Sequence, residues 1–385
     1  MYKFSNKDLD QARSRYYLYL ESSCRSVTEY SLSSKSDTSA FARCFAIFGY
    51  KLLKINIDYV AETLAIAIVK DIDDYREKRG FLKVDLKFDK PYLQLLTFSL
   101  SALSSMNMLA AHPLTSHINP LISKDVLVDL ECCGALRGEP SSGNQAMFIA
   151  IFLIHAKRLG INDFDQLAKW QSIHRENFNQ FGFLGKSTSM THLQFQNGYH
   201  QYEIFEYLNS PDLAWQQIAD NVAMLSDSEG HFAPYPGGGA CYDYDAIFFL
   251  TSNNKSILKH SQLLAKIAST ILDSQNEDGG FCESKHIRPR SIANVKRFLK
   301  HIHTGKGMAR AERLYQMLTL MRPKHDRIHT HWSNYSRKWD ESDLWDSWFR
   351  MLAIARIDIA LNPGNAGNWG FIDYPGVGFH PSIRG

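Results

Sequence analysis

Apolar residues recur along most of this chain at intervals of three and four, the spacing that lays a stripe along one face of an α-helix. Between residues 41 and 53 the stripe is Phe41, Cys44, Phe45, Phe48 and Leu52. Residues 59–69 repeat the period and end in charge, and 92–109 is apolar around much of its circumference. Residues 145–159 include the run Ala-Met-Phe-Ile-Ala-Ile-Phe-Leu-Ile, apolar on every side, which predicts a buried helix. Gly160 ends it, because glycine takes positive φ cheaply, and Asn162 and Asp163 offer caps to the next helix. Further helices are predicted over 213–225, 245–250, 258–273, 309–321 and 344–359, and only 83–87 alternates briefly like an extended strand.

Roughly a dozen helices follow, with strongly apolar ones interleaved among amphipathic ones. A two-layer helical ring demands this, since inner helices are covered on most sides and outer helices on one. A superhelical solenoid would show similar interleaving. An internal echo supports a repeat: Leu225-Ser-Asp-Ser-Glu-Gly-His-Phe232 resembles Ser274-Gln-Asn-Glu-Asp-Gly-Gly-Phe281, and Asn368-Trp-Gly-Phe371 is a weaker third copy. No low-complexity linker divides the chain. The expectation is an all-α fold, a single α/α toroid of paired inner and outer helices over 1–385. Residues 1–40 are expected to form a peripheral helix and loop, with serine-rich 31–39 as a flexible stretch.

Composition changes this picture little. A chain of 385 residues, 44% hydrophobic and 22% charged, can build a sizeable core, and a formal net charge of +3 marks no general nucleic-acid binder. The cysteines Cys24, Cys44, Cys132, Cys133, Cys241 and Cys282 have no paired CxxC spacing, so a reducing compartment is expected. Residues 1–15 lack the apolar run of a secretory signal, and no uninterrupted apolar stretch could span a bilayer, so the expected location is cytoplasmic. Peripheral membrane contact stays open, because an apolar surface patch is not legible in a linear sequence.

The segment Gln275-Asn-Glu-Asp-Gly-Gly-Phe281 resembles the QW motif of the terpenoid cyclase and protein prenyltransferase superfamily. Upstream, Cys241-Tyr-Asp243-Tyr-Asp245-Ala246 opens a helix, as the DxDD motif does in squalene–hopene-type cyclases, with Ala246 in place of the last Asp. The resemblance covers about residues 212–282. It implies one toroid, a proton-donating Asp245 tuned by Asp243, and an isoprenoid substrate.

The residues themselves support several chemistries. Two carboxylates two positions apart, Asp243 and Asp245, either cap a helix or repel one another so that one keeps its proton and acts as a general acid. The preceding 235–240 loop, Tyr-Pro-Gly-Gly-Gly-Ala, lets a ligand approach the backbone closely. Residues 189–203 are dense in imidazole, amide and phenol groups. His192, His200, Tyr199 and Glu203 form a candidate acid–base set, with Gln194 and Asn197 as binding groups, or else a polar surface turn. Tyr235, Cys241, Tyr242, His331, Trp332, Tyr335 and Trp345 are candidate pocket residues, aromatic surfaces that suit a sugar or a carbocation.

The basic stretch 285–300, with Arg288, Arg290, Lys296 and Arg297, is a solvated face or a clamp for phosphate or carboxylate. The 138–145 turn resembles an anion cradle but lacks a P-loop lysine. Cys241, Asp243 and His331 make a weak zinc set, and no metal or cofactor is expected. The leading expectation is a terpenoid-cyclase-like enzyme with a small-molecule substrate. The second is a carbohydrate-active enzyme, a lyase, epimerase or hydrolase, using His192 or His200 with Tyr199 and holding a uronate through Arg288 or Arg290. The third is a helical-repeat binding scaffold. Oligomeric state is not legible.

Overall fold

Helices alternate along the chain between two environments, one covered on nearly every side and one covered along a single stripe. The computed structural model describes residues 6–82, 85–161, 164–210, 213–287 and 292–384. Helices α1 (Asn6–Ser23), α3 (Ala61–Phe81), α6 (Val126–Cys132), α8 (Phe164–Asn177), α10 (Trp215–Ala223) and α12 (Asn254–Asp273) are outer. Helices α2 (Ala40–Leu53), α4 (Lys90–Ser105), α7 (Ser142–Arg158), α9 (His192–Tyr207), α11 (Ala240–Leu250) and α15 (Leu344–Leu361) are inner, and α5 (Thr115–Ile118) is a short connector. The inner six pack in the cycle α2–α4–α7–α9–α11–α15 and back to α2, so the ring is closed rather than an open solenoid. The fold is an all-α toroid.

Burial follows this division. On the outer helix α12 only one stripe is buried, mainly Leu264, Ile267, Ala268 and Ile271, whereas the inner helix α11 is buried throughout its length beyond Tyr242. Side chains cap several helix starts: Ser39 accepts from Ala42 N–H, Thr191 from Gln194, Asn253 from Ser256 and Asp343 from Asp346. Between α12 and α15 the chain adds α13 (Ile292–Thr304), α14 (Gly307–Leu320) and the antiparallel hairpin of β3 (Arg327–Ile328) and β4 (Arg337–Lys338). A second small hairpin, β1 (Cys24–Ser26) with β2 (Glu29–Tyr30), follows α1.

Several sequence expectations change here. Helix α1 is the first outer helix rather than a peripheral one, with Tyr16 and Leu20 fully buried against the ring. The serine-rich 31–39 stretch is packed: Ser31 and Ser33 are buried, Ser33 N–H donates to Ser36 Oγ at 3.0 Å, and Leu344 N–H donates to Leu32 carbonyl at 2.8 Å. Hydroxyls that satisfy neighbouring backbone groups let such a loop be buried. The 85–87 part of the alternating segment is turn; residues 83–84, like the caps at 162–163, lie outside the described residues. No helix among the described residues is long and apolar enough to cross a membrane.

The two strong repeat turns do the same job. Each follows an outer helix, α10 or α12, and ends in a fully buried phenylalanine, Phe232 or Phe281. In the second, Gln275 Nε2 donates to Gly279 carbonyl at 2.8 Å and to Ala12 carbonyl of α1 at 3.0 Å, tying the turn to the neighbouring outer helix. The weak third copy differs in place, since Asn368–Phe371 follows the inner helix α15. Replacing Gln275 by Leu removes both of these buried hydrogen bonds. Chemical denaturation should show a loss of about 1–3 kcal/mol with the slope unchanged.

Candidate active site

Because outer and inner helices alternate, the inner helices run parallel and their N-terminal ends gather at one mouth of the ring. Charge closes the opposite end: Arg356 of α15 donates to Glu206 of α9 at 2.8 Å, to Thr251 Oγ1 at 3.2 Å and to Phe379 carbonyl at 3.1 Å. At the mouth, the β3–β4 loop lies over α4. His331 Nε2 sits 2.7 Å from Gln94 Oε1, and Trp332 Nε1 donates to the same oxygen at 3.3 Å.

Inside the mouth, aromatic rings line the wall from helix to helix. Trp332 lies 4.2 Å from Trp345, which meets Phe45 of α2 at 4.9 Å, Phe98 of α4 at 5.8 Å and Phe349 at 4.4 Å between centroids. Phe349 continues to Tyr244 of α11 at 5.3 Å, and Tyr244 to Tyr199 of α9 at 5.7 Å. Inter-ring contacts of this kind give a rigid wall with negative faces.

The two aspartates of α11 have opposite environments. Asp243 Oδ2 accepts from His231 Nδ1 at 2.8 Å and from Arg350 of α15, and Oδ1 accepts from Phe232 N–H at 2.8 Å. Burial opposes its charge, but His231 and Arg350 outweigh it, so its pKa is lowered while that of His231 is raised. Asp245, two residues on, is 1% exposed, and neither carboxyl oxygen has a hydrogen-bond partner. Burial, then Glu203 and Asp243, push its pKa well above the ordinary aspartate value, which favours the protonated form. His231 and Arg350 also line a polar cleft of about 340 Å³ shared with Lys266, Glu283 and Arg297.

Other acids cluster beside Asp245. Glu203 Oε1 accepts from Gly378 N–H at 3.1 Å, its Oε2 is unpaired, and burial raises its pKa. The hydroxyls of Tyr199 and Tyr244 are buried and unpaired. Across the mouth Arg337 bridges Asp343 and Asp346, the latter at 2.6 Å, with Glu283 at 3.9 Å. Asp346 is pushed well up by burial and by Asp343 and Glu283, with Arg337 opposing. Cys241 is half-buried, and its thiol is raised by burial and then by Glu283, Asp245 and Asp346.

The proposed polar set in α9 divides. The segment is a helix rather than a surface turn. Tyr199 and Glu203 share its inward face, but His192 is a strut: Nδ1 donates to Phe232 carbonyl at 2.7 Å and Nε2 accepts from Arg313 at 3.3 Å. Burial and Arg313 lower its pKa to about 3. With both nitrogens engaged, it has no lone pair for general-base work. His200 stands 2.7 Å from Asn144 Nδ2 near the mouth, also held neutral with a pKa of about 3 by burial and Lys90. Asn197 bonds Glu139 carbonyl at 2.9 Å and joins two helix ends, whereas Gln194 keeps both amide atoms buried and unpaired.

Of the remaining candidates, Tyr235 bonds Glu283 and packs 6.1 Å from Tyr242, Tyr335 donates to Glu341 at 3.1 Å, and Arg288 and Arg290 lie outside the described residues. Cys241, Asp243 and His331 do not form a metal centre; among the described residues no cluster of three His, Cys, Asp or Glu could hold one. Two glycine readings are also corrected. A Cβ at Gly143 would overlap the Asn197 backbone, so the 138–145 turn is filled by α9 rather than open to an anion. A Cβ at Gly238 would overlap the Asp243 carboxylate and the His231 ring, so that loop makes room for the protein's own ion pair.

Sequence reasoning does not single out His231, Glu283, Tyr244, Phe349, Arg350 or Asp346 as site residues. The signal available was Gly-His-Phe232 in the first repeat turn, where His replaces the second Gly of Gly279-Gly280-Phe281.

Gly238→Ala should lower stability by about 3 kcal/mol at neutral pH, by breaking a buried ion pair and by placing a side chain at φ 74°. The pH dependence fixes the cause. His231, being raised, contributes fully below its unfolded value of 6.5 and loses that contribution as pH rises through the folded value. Asp243, being depressed, loses its contribution as pH falls through its own folded value. Denaturation across pH should show both losses in the wild type and neither in the variant.

No family model and no curated protein matches the chain. Among solved structures, a type II terpene cyclase, MstE from Scytonema, is similar at a TM-score of 0.46 and 11% identity, covering 93% of this chain and 99% of that one. A glycosidase solved with glucose is similar at a TM-score of 0.43 and 11% identity, with the same coverage. The assignment as a toroid rests on the closed helix ring itself.

Proposed function

We propose that the protein is an acid-initiated cyclase of linear isoprenoids, with Asp245 as the proton donor. The observation that carries this reading is the setting of Asp245: buried, with no hydrogen-bond partner on either oxygen, its pKa raised by that burial, and next in sequence to a tyrosine of the aromatic wall. A carboxylic acid already bonded to basic groups has no proton to give, which excludes Asp243 from that role. An alkene or epoxide is a weak base, and its protonation becomes feasible only where the cation formed is stabilised as it forms. The faces of Trp345, Phe349, Tyr244 and Tyr199 supply that stabilisation without acting as nucleophiles.

The electron count closes simply. The Asp245 proton adds to the terminal alkene carbon or epoxide oxygen, the adjacent carbon becomes cationic, and successive alkene π pairs form ring C–C bonds. The last cation loses a proton to water, so product and substrate are isomers, and the Asp245 carboxylate takes a proton back from water before the next turnover. Asp243 acts as a positioning residue: locked to His231 and Arg350, it presents a fixed negative charge that opposes ionisation of Asp245.

A carbohydrate reading has one observation in its favour, the second unpaired carboxyl at Glu203, since glycoside hydrolysis uses two. Its weakness is chemical. Burial raises both groups, so neither is poised as the ionised partner that chemistry needs.

Incubation with linear polyprenols in deuterated water should give cyclic isomers carrying one carbon-bound deuterium, and their terminal epoxides should give cyclic isomers bearing a new hydroxyl whose deuterium exchanges. Asp245→Asn should abolish turnover while the fold persists. A fully active variant, or turnover of glycosides alone, ends the proposal. The wild-type rate should hold at low pH and fall as pH rises through the raised pKa of Asp245, because only the protonated form donates. The same variant should melt higher at neutral pH. Folding forces Asp245 to take up a proton above its unfolded value of 3.8, and asparagine removes that cost.

A further inference from the structure

We infer that the α13–α14 insertion is a docking surface for an anionic lipid bilayer. The two helices pack on one another, and each carries an apolar stripe on the side opposite its buried residues. On α13 the stripe includes Val295 and Leu299, while Phe298 and His301 face inward. On α14 it is Leu314, Tyr315, Leu318 and Met321, while Ala309, Arg313 and Leu320 face inward. These are large exposures for such side chains, 58% for Leu299 and 66% for Tyr315, and their concentration on one hairpin calls for a partner.

The hairpin is rigidly mounted, so the exposure belongs to a fixed surface. Arg313 is 1% exposed and donates to Leu225 carbonyl at 2.6 Å and His301 carbonyl at 2.7 Å. His301 pairs with Asp227 of the first repeat turn at 3.1 Å. Glu312 accepts from the backbone N–H groups of His192 at 2.7 Å and Leu193 at 3.2 Å, fixing α14 to the N-terminal end of α9. The stripes therefore stand beside the mouth of the ring.

Charge identifies the occupant. Residues 292–325 hold eight Lys or Arg and a single acid, Glu312, which is spent on α9. Of the eight, Arg313 is buried and Arg297 pairs with Glu229 at 2.9 Å; Lys296, Lys300, Lys306, Arg310, Arg322 and Lys324 are exposed around the stripes. A second copy of this chain would set this basic face against another, like charge against like. An anionic bilayer accepts both features, apolar side chains at the acyl boundary and cations among the headgroups. The inference rests on surface chemistry and stands independently of the reading of Asp245.

Flotation of the full chain with phosphatidylcholine vesicles containing about one-third phosphatidylserine should recover bound protein, with little bound to pure phosphatidylcholine or at high salt. The double variant Leu299→Glu with Leu318→Glu should weaken vesicle binding by roughly tenfold or more, with an unchanged melting temperature because both sites are exposed. Three outcomes overturn the inference: no flotation with anionic vesicles, undiminished binding by the folded variant, or a wild-type dimer in sedimentation that the variant dissociates. Asp245→Asn should bind vesicles normally. Failure of docking thus leaves cyclisation testable in detergent, and failure of cyclisation leaves docking testable on vesicles.

Discussion

Exclusion of water from the inside of a closed helix ring governs everything else at this site. A carboxyl group there has two stable states: charged and fully partnered, or neutral. Asp243 takes the first, with His231, Arg350 and a backbone N–H on its two oxygens. Asp245 takes the second, with no partner at all. One helical turn thus holds the same residue type in two protonation states, and the difference comes entirely from what the neighbouring elements deliver. Were the ring open, water would solvate both groups and the distinction would vanish.

The topology sets where those groups can stand. Strict alternation of outer and inner helices makes the inner helices parallel, so their positive N-terminal ends converge on one mouth. Acids are tolerated there better than elsewhere, and Asp243, Asp343 and Asp346 all lie in or next to first turns. At the other end, Arg356 satisfies Glu206 and the Phe379 carbonyl and seals the floor. The chain's one large departure from alternation, the α13–α14 insertion with the β3–β4 hairpin, is spent at the mouth. It caps α9 through Glu312 and carries Trp332 to Trp345.

Legibility in the sequence tracked the range of the forces involved. The inner helices α2, α4, α7 and α15 were readable because apolar periodicity is local, and the repeat turns were readable because they recur. Helix α9 was not, since its inward face carries Tyr199 and Glu203, and polar residues facing a buried site imitate a surface turn. Helix α13 was hidden behind its basic residues, and its apolar stripe lacked the neighbouring α14 that makes it meaningful. The glycines at 237–239 were read as room for a ligand; a linear sequence does not reveal that the space at Gly238 is taken by His231 and Asp243, and that at Gly239 by Tyr235 and Glu283. The partners of Asp243 include Arg350, more than a hundred residues away, a pairing that only closure of the ring creates.

In the proposed reaction the aromatic wall and the protonated acid act as a pair. A proton donor with a raised pKa is a poor acid by itself, so its proton moves only if the acceptor becomes more stable as a cation than it was as a neutral molecule. Water or charged bases would satisfy that cation by capturing it, ending the reaction at once. In the proposed reaction the rings contributed by α2, α4, α15, α11 and α9 would stabilise positive charge with their faces, which are weaker nucleophiles than water or a free amine. The basic groups nearby are disarmed in complementary ways: His192 is bonded at both nitrogens, His231 and Arg350 are paired to Asp243, and Arg337 is held by Asp343 and Asp346. What distinguishes this interior from an ordinary polar pocket is that its strong bases already have partners, whereas Asp245, among the described residues, is the carboxyl with neither oxygen bonded.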